Sequence, residues 1–184
     1  MSTKLSFHIR DALESDISAC LDLDHSYETQ YVWQMRLQGD ADQQHITFTR
    51  EHLPRILETS YPANEQRLYA AAAPEHGFLV AANRQHGEIL GYLTVHHDPV
   101  YRIAYVQDMV ISRPYRRNHI GTRLFTVACQ WAREKNLTVI TLEMQTRNYP
   151  AIRFCQQTGL TFSGFSDHHF ANQDIAVFFS QSLR

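Results

Sequence analysis

Arg113, Arg116, Arg117 and Arg123 gather four cations around one turn in VISRPYRRNHIGTRL, residues 110–124. Val110 and Ile111 end an apolar run before that turn, and Gly121 opens an amphipathic segment after it. Amide N–H groups at a helix start have no partner within the helix, and the helix dipole puts about half a positive charge there. A strand, a basic turn and a helix start in this order suit a pyrophosphate. The same residues also read as a solvated basic loop before an ordinary helix. A second residue with a chemical look is Glu143, a carboxylate within TVITLEM, residues 138–144. A charge in an apolar strand needs a partner or a task. Arg147 and Arg153 are its nearby ion-pair candidates. Asp108 alternates with Val106 and Val110 just ahead of the basic turn.

Bulk composition narrows the classes. The chain has 184 residues, 43% of them hydrophobic and 20% charged, which supports one domain with a real core. A net charge of −2 does not suit a nucleic-acid binder, so the basic turn needs a local explanation. No apolar run reaches membrane-spanning length and no signal-peptide core opens the chain, so a cytoplasmic protein is expected. Cys20, Cys129 and Cys155 are odd in number and widely spaced, without a disulfide or CxxC framework. The pairs His96-His97 and His168-His169 are adjacent, and neighbours on a strand face opposite ways, so no metal is expected.

Several elements must position these residues. Leu5, Phe7 and Ile9 alternate as a strand, and Ser15 or Asp16 can start a helix carrying Ile17, Cys20 and Leu21. Residues 31–37 fit either strand or helix. Residues 48–58 read as a helix weakened by Pro54. Residues 78–84, 88–98 and 102–112 read as three strands joined by antiparallel hairpins. A helix is expected over 121–135 and a β-branched strand over 138–144. Asn148 can cap a further helix that Gly159 stops, and strands follow at 160–165 and 174–180. Helices interrupting a largely antiparallel set make this an α+β chain.

These residues resemble the GCN5-related N-acetyltransferase superfamily. Its pyrophosphate loop, Gln/Arg-x-x-Gly-x-Gly/Ala, is matched by Arg116, Arg117, Asn118, His119, Ile120 and Gly121. A later family pattern is matched by Asn148, Ala151, Phe154, Cys155, Gly159 and Leu160. Together they cover roughly residues 100–165. The segment LEMQTRNYPA, residues 142–151, is similar to streptothricin acetyltransferases and also to ribosomal-protein alanine N-acetyltransferases. The resemblance implies one domain over residues 1–184, with a mostly antiparallel mixed sheet of about six to seven strands and about four helices. It implies acetyl-CoA as cosubstrate and a primary amine as acceptor, either a small molecule or a peptide N-terminus. No membrane partner is implied, and a homodimer is compatible.

By the resemblance, the backbone of Met109, Val110 and Ile111 pairs with the pantetheine arm, where neighbouring strands splay. The backbone from Arg116 to Thr122 holds the pyrophosphate, and Asn148 holds the cofactor arm. Two positions depart from the family. His119 replaces a glycine, which costs roughly 1–2 kcal/mol if φ is positive there. Cys155 stands where the family has the tyrosine that protonates the departing thiol.

Acetyl transfer needs a neutral amine. A lysine-like amine of pKa about 10.4 is roughly one part in a thousand neutral at pH 7, an α-amine near 8 roughly a tenth. The matching glutamate of the alanine N-acetyltransferases serves as base, which makes Glu143 the first candidate, acting through a water. Asp108 is the second, with an ion pair to an arginine of the loop as its alternative role. Cys155 is either a thiol acid or core filler. Asp22, Asp24 and Glu28 could attract a cationic acceptor, with Tyr31, Trp33 and Tyr61 as walls. An acyl-CoA-binding relative that does not transfer is the competing reading.

Overall fold

The computed structural model describes residues 5–170 and 172–184. The chain divides into two compact units. The first comprises Met1–Ser26, Ser60–Leu142 and Ser180–Arg184; the second comprises Tyr27–Thr59 and Glu143–Phe179. Seven strands form one sheet in the order β1-β4-β5-β6-β7-β9-β8, and β2 and β3 form a separate ribbon.

In the first unit, β1 (Phe7–Asp11), β4 (Gly77–Asn83), β5 (Ile89–Asp98) and β6 (Ile103–Ile111) pair antiparallel in turn. The expected hairpins are present. On one face α1 (Ile17–Leu21) and α2 (Glu65–Ala71) bury Ile17, Cys20 and Leu68 with Phe78, Val80, Tyr92 and Val110. Each large apolar side chain so buried contributes about 1.5–3 kcal/mol. Helix α3 (Ile120–Glu134) packs against β4, β5 and β6 through its buried stripe of Leu124, Ala128 and Ala132. Gly77 permits this: a Cβ there would sit 3.2 Å from the Trp131 ring. Helix α3 then returns the chain to β7 (Val139–Gln145), which pairs parallel to β6, as a helical crossover requires.

The second unit holds β2 (Ser26–Gly39) and β3 (Gln44–Ser60), the end of β7, α4 (Tyr149–Gln157), β8 (Thr161–Ser166) and most of β9 (Ala176–Ser182). A two-stranded ribbon alone is marginal in water. Here its aromatic side chains anchor it: Trp33 lies 5.8 Å from Phe48 and 5.6 Å from Phe179, and Phe48 lies 5.3 Å from Phe162.

Two expectations change. Residues 48–58 are strand, not helix, and 31–37 resolve as strand. The β-branched and aromatic run Ile46, Thr47, Phe48 and Thr49 favours the pleat, and Pro54 is compatible with a ribbon that has two outer edges. Helix α2 was not expected. Its signal is Asn64, whose side chain accepts the Arg67 N–H at 2.9 Å as an N-cap.

Candidate active site

Strand β6 does two things at once. Its pairing with β5 slips by one residue between Thr94↔Asp108 and Val95↔Val106, so Gln107 is an extra residue, a β-bulge. Its parallel ladder to β7 runs from Ile103↔Val139 to Val106↔Leu142, and both strands continue past it. Beyond the bulge, Asp108–Ile111 keep their ladder to β5, while on the other edge the ladder has stopped. Backbone groups on such an edge can pair with an extended ligand. Met109, Val110 and Ile111 lie here. Gly91 makes the approach close: a Cβ on it would meet the Val110 carbonyl oxygen at 2.6 Å.

After β6 comes a short 3-10 turn at Arg113–Tyr115, then the loop into α3. Two successive non-glycine kinks shape it, Arg117 at φ 65° and His119 at φ 60°. His119 thus takes the left-handed conformation for which the sequence reading set a cost of roughly 1–2 kcal/mol. Asn118 Nδ2 donates to the carbonyls of Tyr115 and Arg116, each at 3.1 Å, and pins the turn. The first helical bond of α3 is Arg123 N–H to His119 O, 3.0 Å. Among the described residues, the amides of Arg117, Asn118, His119, Ile120, Gly121 and Thr122 have no protein acceptor. Six unpartnered amides on a tight turn at a helix start form a cradle for a polyanion.

The arginines divide. Arg117 and Arg123 are exposed. Arg116 is half-buried, and its guanidinium faces back to the strand end, donating to Ile111 O at 2.9 Å and Asp24 O at 3.4 Å. Burial pulls it below its ordinary pKa, partly offset by Asp24. Its side chain ties the loop to the strand, while Arg117 and Arg123 stay exposed.

Asp108 is not paired with a loop arginine. Its carboxylate is buried and held by Arg67 of α2, by the Tyr61 hydroxyl at 2.7 Å and by Thr94 Oγ1 at 2.9 Å. Burial, with the Asp108 charge beside it, pushes the Tyr61 phenol well above its usual range. A carboxylate with these partners in place fits a structural clamp, and the Tyr61 hydroxyl is engaged with it.

In the second unit, Glu143 sits on β7 with its side chain one-fifth exposed. Its carboxylate meets His169 Nε2 at 2.8 Å. His169 comes from the loop between β8 and β9, a partner for Glu143 that the sequence did not suggest. Arg147 instead pairs with Asp174. Asn148 caps α4, its Oδ1 accepting the Ala151 N–H at 3.2 Å. Its Nδ2 has no partner among the described residues.

Of the two roles weighed for Cys155, thiol acid and core filler, its surroundings favour the second. Cys155 is fully buried, its thiol points to Met144 Sδ at 3.9 Å, and burial pushes it up to about 12. A thiol so enclosed, its ionisation pushed up by burial, fits the core-filler role weighed for it. Of the acceptor candidates, Asp22, Asp24 and Glu28 are exposed, and Asp24 accepts from Ser26 N–H and Oγ. Tyr31 carries Arg50 over its ring at 4.9 Å and lies 5.5 Å from Tyr149.

The sequence model of the acetyltransferase (GNAT) family matches residues 42–160. The chain belongs to the acetyltransferase (GNAT) family. A search of curated proteins finds no match. Among solved structures, a nourseothricin acetyltransferase is similar at 22% identity over 97% of this chain and 99% of that one, TM-score 0.82. A protein from Bacillus anthracis str. Ames described as a streptothricin acetyltransferase, solved with acetyl coenzyme A, is 25% identical over 97% and 99%, TM-score 0.78. The ribosomal-protein-S18-alanine N-acetyltransferase from Escherichia coli shares the fold at 10% identity over 97% and 94%, TM-score 0.68. Among the described residues, no helix of this acetyltransferase is long and apolar enough to cross a membrane.

Proposed function

We propose that this acetyltransferase moves an acetyl group from acetyl-CoA to the primary amine of a small, streptothricin-like cationic molecule. The observation that carries the cofactor half is the row of unpartnered amides from Arg117 to Thr122, beside the exposed cations Arg117 and Arg123. The diphosphate of the cosubstrate fits that row, and an extended pantetheine chain fits the edge of Met109–Ile111. The acceptor class is supported by likeness over nearly the full length of both chains to two enzymes named for streptothricin-class antibiotics. A peptide N-terminus or an aminoglycoside-like amine is the alternative acceptor.

The acetyl thioester supplies the electrophile. The chain's own residues align it, exclude competing water and remove a proton from the amine. Glu143 is the centre of that proton removal. No strong acid is needed for the leaving group, because a thiol of pKa about 8.5 leaves readily as thiolate near neutral pH. General acid assistance is worth about 10²–10⁴-fold, so its absence slows turnover without abolishing it.

Cys155 gives a second reading its footing: a relative that binds acyl-CoA and transfers slowly or not at all. Acetyl-CoA consumption over streptothricins, aminoglycosides and free peptide N-termini separates the two. Turnover is expected with the first group. Acetyl-CoA binding without turnover on any amine would favour the second reading.

A further inference from the structure

We propose that His25 is a positioning residue for the proposed cofactor site: its buried imidazole fixes the Leu23–Ser26 segment, whose main chain in turn holds the start of the loop leading to the cradle. This rests on the reading of Arg117–Thr122 as the diphosphate site and names what holds that site in place.

Residues 22–25 join α1 to β2 and belong to neither, so no helix or ladder sets their course. Within residues 22–26, His25 is the one buried side chain. Each of its ring nitrogens has a partner. Nδ1 lies 2.6 Å from Leu23 O, and Nε2 lies 3.3 Å from the Tyr92 hydroxyl. A carbonyl oxygen only accepts, so the hydrogen of the neutral ring belongs to Nδ1. Nε2 then presents its lone pair to Tyr92, which donates. Burial pushes the Tyr92 phenol well above its usual range, so it keeps that proton. The two rings meet edge-on, 6.0 Å apart at 62°. His25 is 7% exposed and Tyr92 is fully enclosed, so water is a poor substitute for either partner.

The two ends of this contact lead to the two halves of the site. Tyr92 is the β5 residue paired with Val110, on the stretch of β6 that carries the free edge. Leu23 opens the segment that meets the loop. Asp24 O accepts Arg113 N–H at 3.2 Å and Arg116 Nη2 at 3.4 Å, and Asp24 N–H donates to Ser112 Oγ at 3.4 Å. The next carbonyl, His25 O, accepts Tyr61 N–H at 3.1 Å, and the Tyr61 hydroxyl reaches Asp108. The Asp24 carboxylate stands apart from these bonds and accepts from Ser26 N–H and Oγ. The loop is therefore held by the main chain of Asp24, and that main chain is held by the imidazole beside it.

The test is acetyl-CoA affinity by calorimetry, set beside thermal stability, for the parent, His25→Ala, His25→Gln, His25→Asn and Cys20→Ala. Asparagine keeps a donor near the place of Nδ1; glutamine keeps an acceptor near the place of Nε2. Cys20→Ala removes volume from the core that holds Tyr92 and breaks none of these hydrogen bonds. We expect His25→Ala and His25→Gln to weaken acetyl-CoA binding about 5- to 10-fold, and His25→Asn to stay within about twofold of the parent. Cys20→Ala should lower Tm and leave the dissociation constant unchanged. In ¹⁵N NMR of the parent, the neutral ring should carry its hydrogen on Nδ1. Should His25→Ala not fold, His25→Gln against His25→Asn and the tautomer carry the test. Parent-like affinity in His25→Gln, an equal loss in His25→Asn or Cys20→Ala, or a neutral Nε2–H tautomer overturns the assignment and leaves the N-acetyltransferase reading in place. A parent that binds no acetyl-CoA removes both.

Discussion

The cofactor cradle and the Glu143–His169 pair obey different rules. The cradle works through main chain. In the site proposed for the cofactor the donors are amides of Arg117–Thr122 and the strand edge is the backbone of Met109–Ile111, so side-chain identity matters mainly where it bends the chain. That is why His119 can stand in for a glycine, at φ 60°. The pair works through side chains: two functional groups 26 residues apart must meet at 2.8 Å. A cradle made of backbone tolerates substitution and keeps a local signature. A constellation of side chains tolerates little and has no signature shorter than the distance between its members.

Four measurements can break or sharpen that contrast. The largest effect is expected at a side chain on which the backbone region does depend. Asp108→Ala leaves Arg67 and Tyr61 without their shared acceptor beneath the free edge of β6, and should cost about 3 kcal/mol in denaturant unfolding. A loss under 1 kcal/mol would mean that the clamp does not hold the edge. Next, Gly121→Glu puts a carboxylate on the cradle. Acetyl-CoA affinity by calorimetry should fall about 10- to 100-fold from charge repulsion at short range, and unchanged affinity would dissolve the loop assignment.

A smaller effect, of the opposite sign, is expected at His119→Gly. Relief of the left-handed strain should raise stability by about 1 kcal/mol, with acetyl-CoA affinity equal or tighter. Weaker binding would show that the imidazole itself contributes a donor, and the cradle would not be main chain alone.

The smallest effect on chemistry belongs to Cys155→Ala, which should leave kcat within about twofold if Cys155 is core. The same thiol has a pH signature. An unfolded cysteine ionises above about 9, whereas folded Cys155 holds its proton to about 12. In that interval the unfolded state binds fewer protons, so stability falls as pH rises from 9 towards 12. The fall should be shallower in Cys155→Ala. An equal slope in both proteins would mean that Cys155 is not the buried, protonated thiol described here.

The sequence alone determined what is written within a few residues. Alternation set β4, β5 and β6; the Asn148 cap and Gly159 bounded α4; and the strand, basic turn and amphipathic stripe announced the entry to α3. Such features depend on dihedral preferences, caps and periodicity, whose range is about one helical turn. Only the tertiary structure decided what depends on chain return. It turned 48–58 into a strand because aromatic partners on other elements outweighed a weak helical pattern. It gave Asp108 to Arg67, 41 residues earlier, and it enclosed Cys155 beside Met144. It also drew His169 from an unremarkable DHHF loop to Glu143, because the energy of that contact exists only once both strands flanking the loop have taken their places in the sheet.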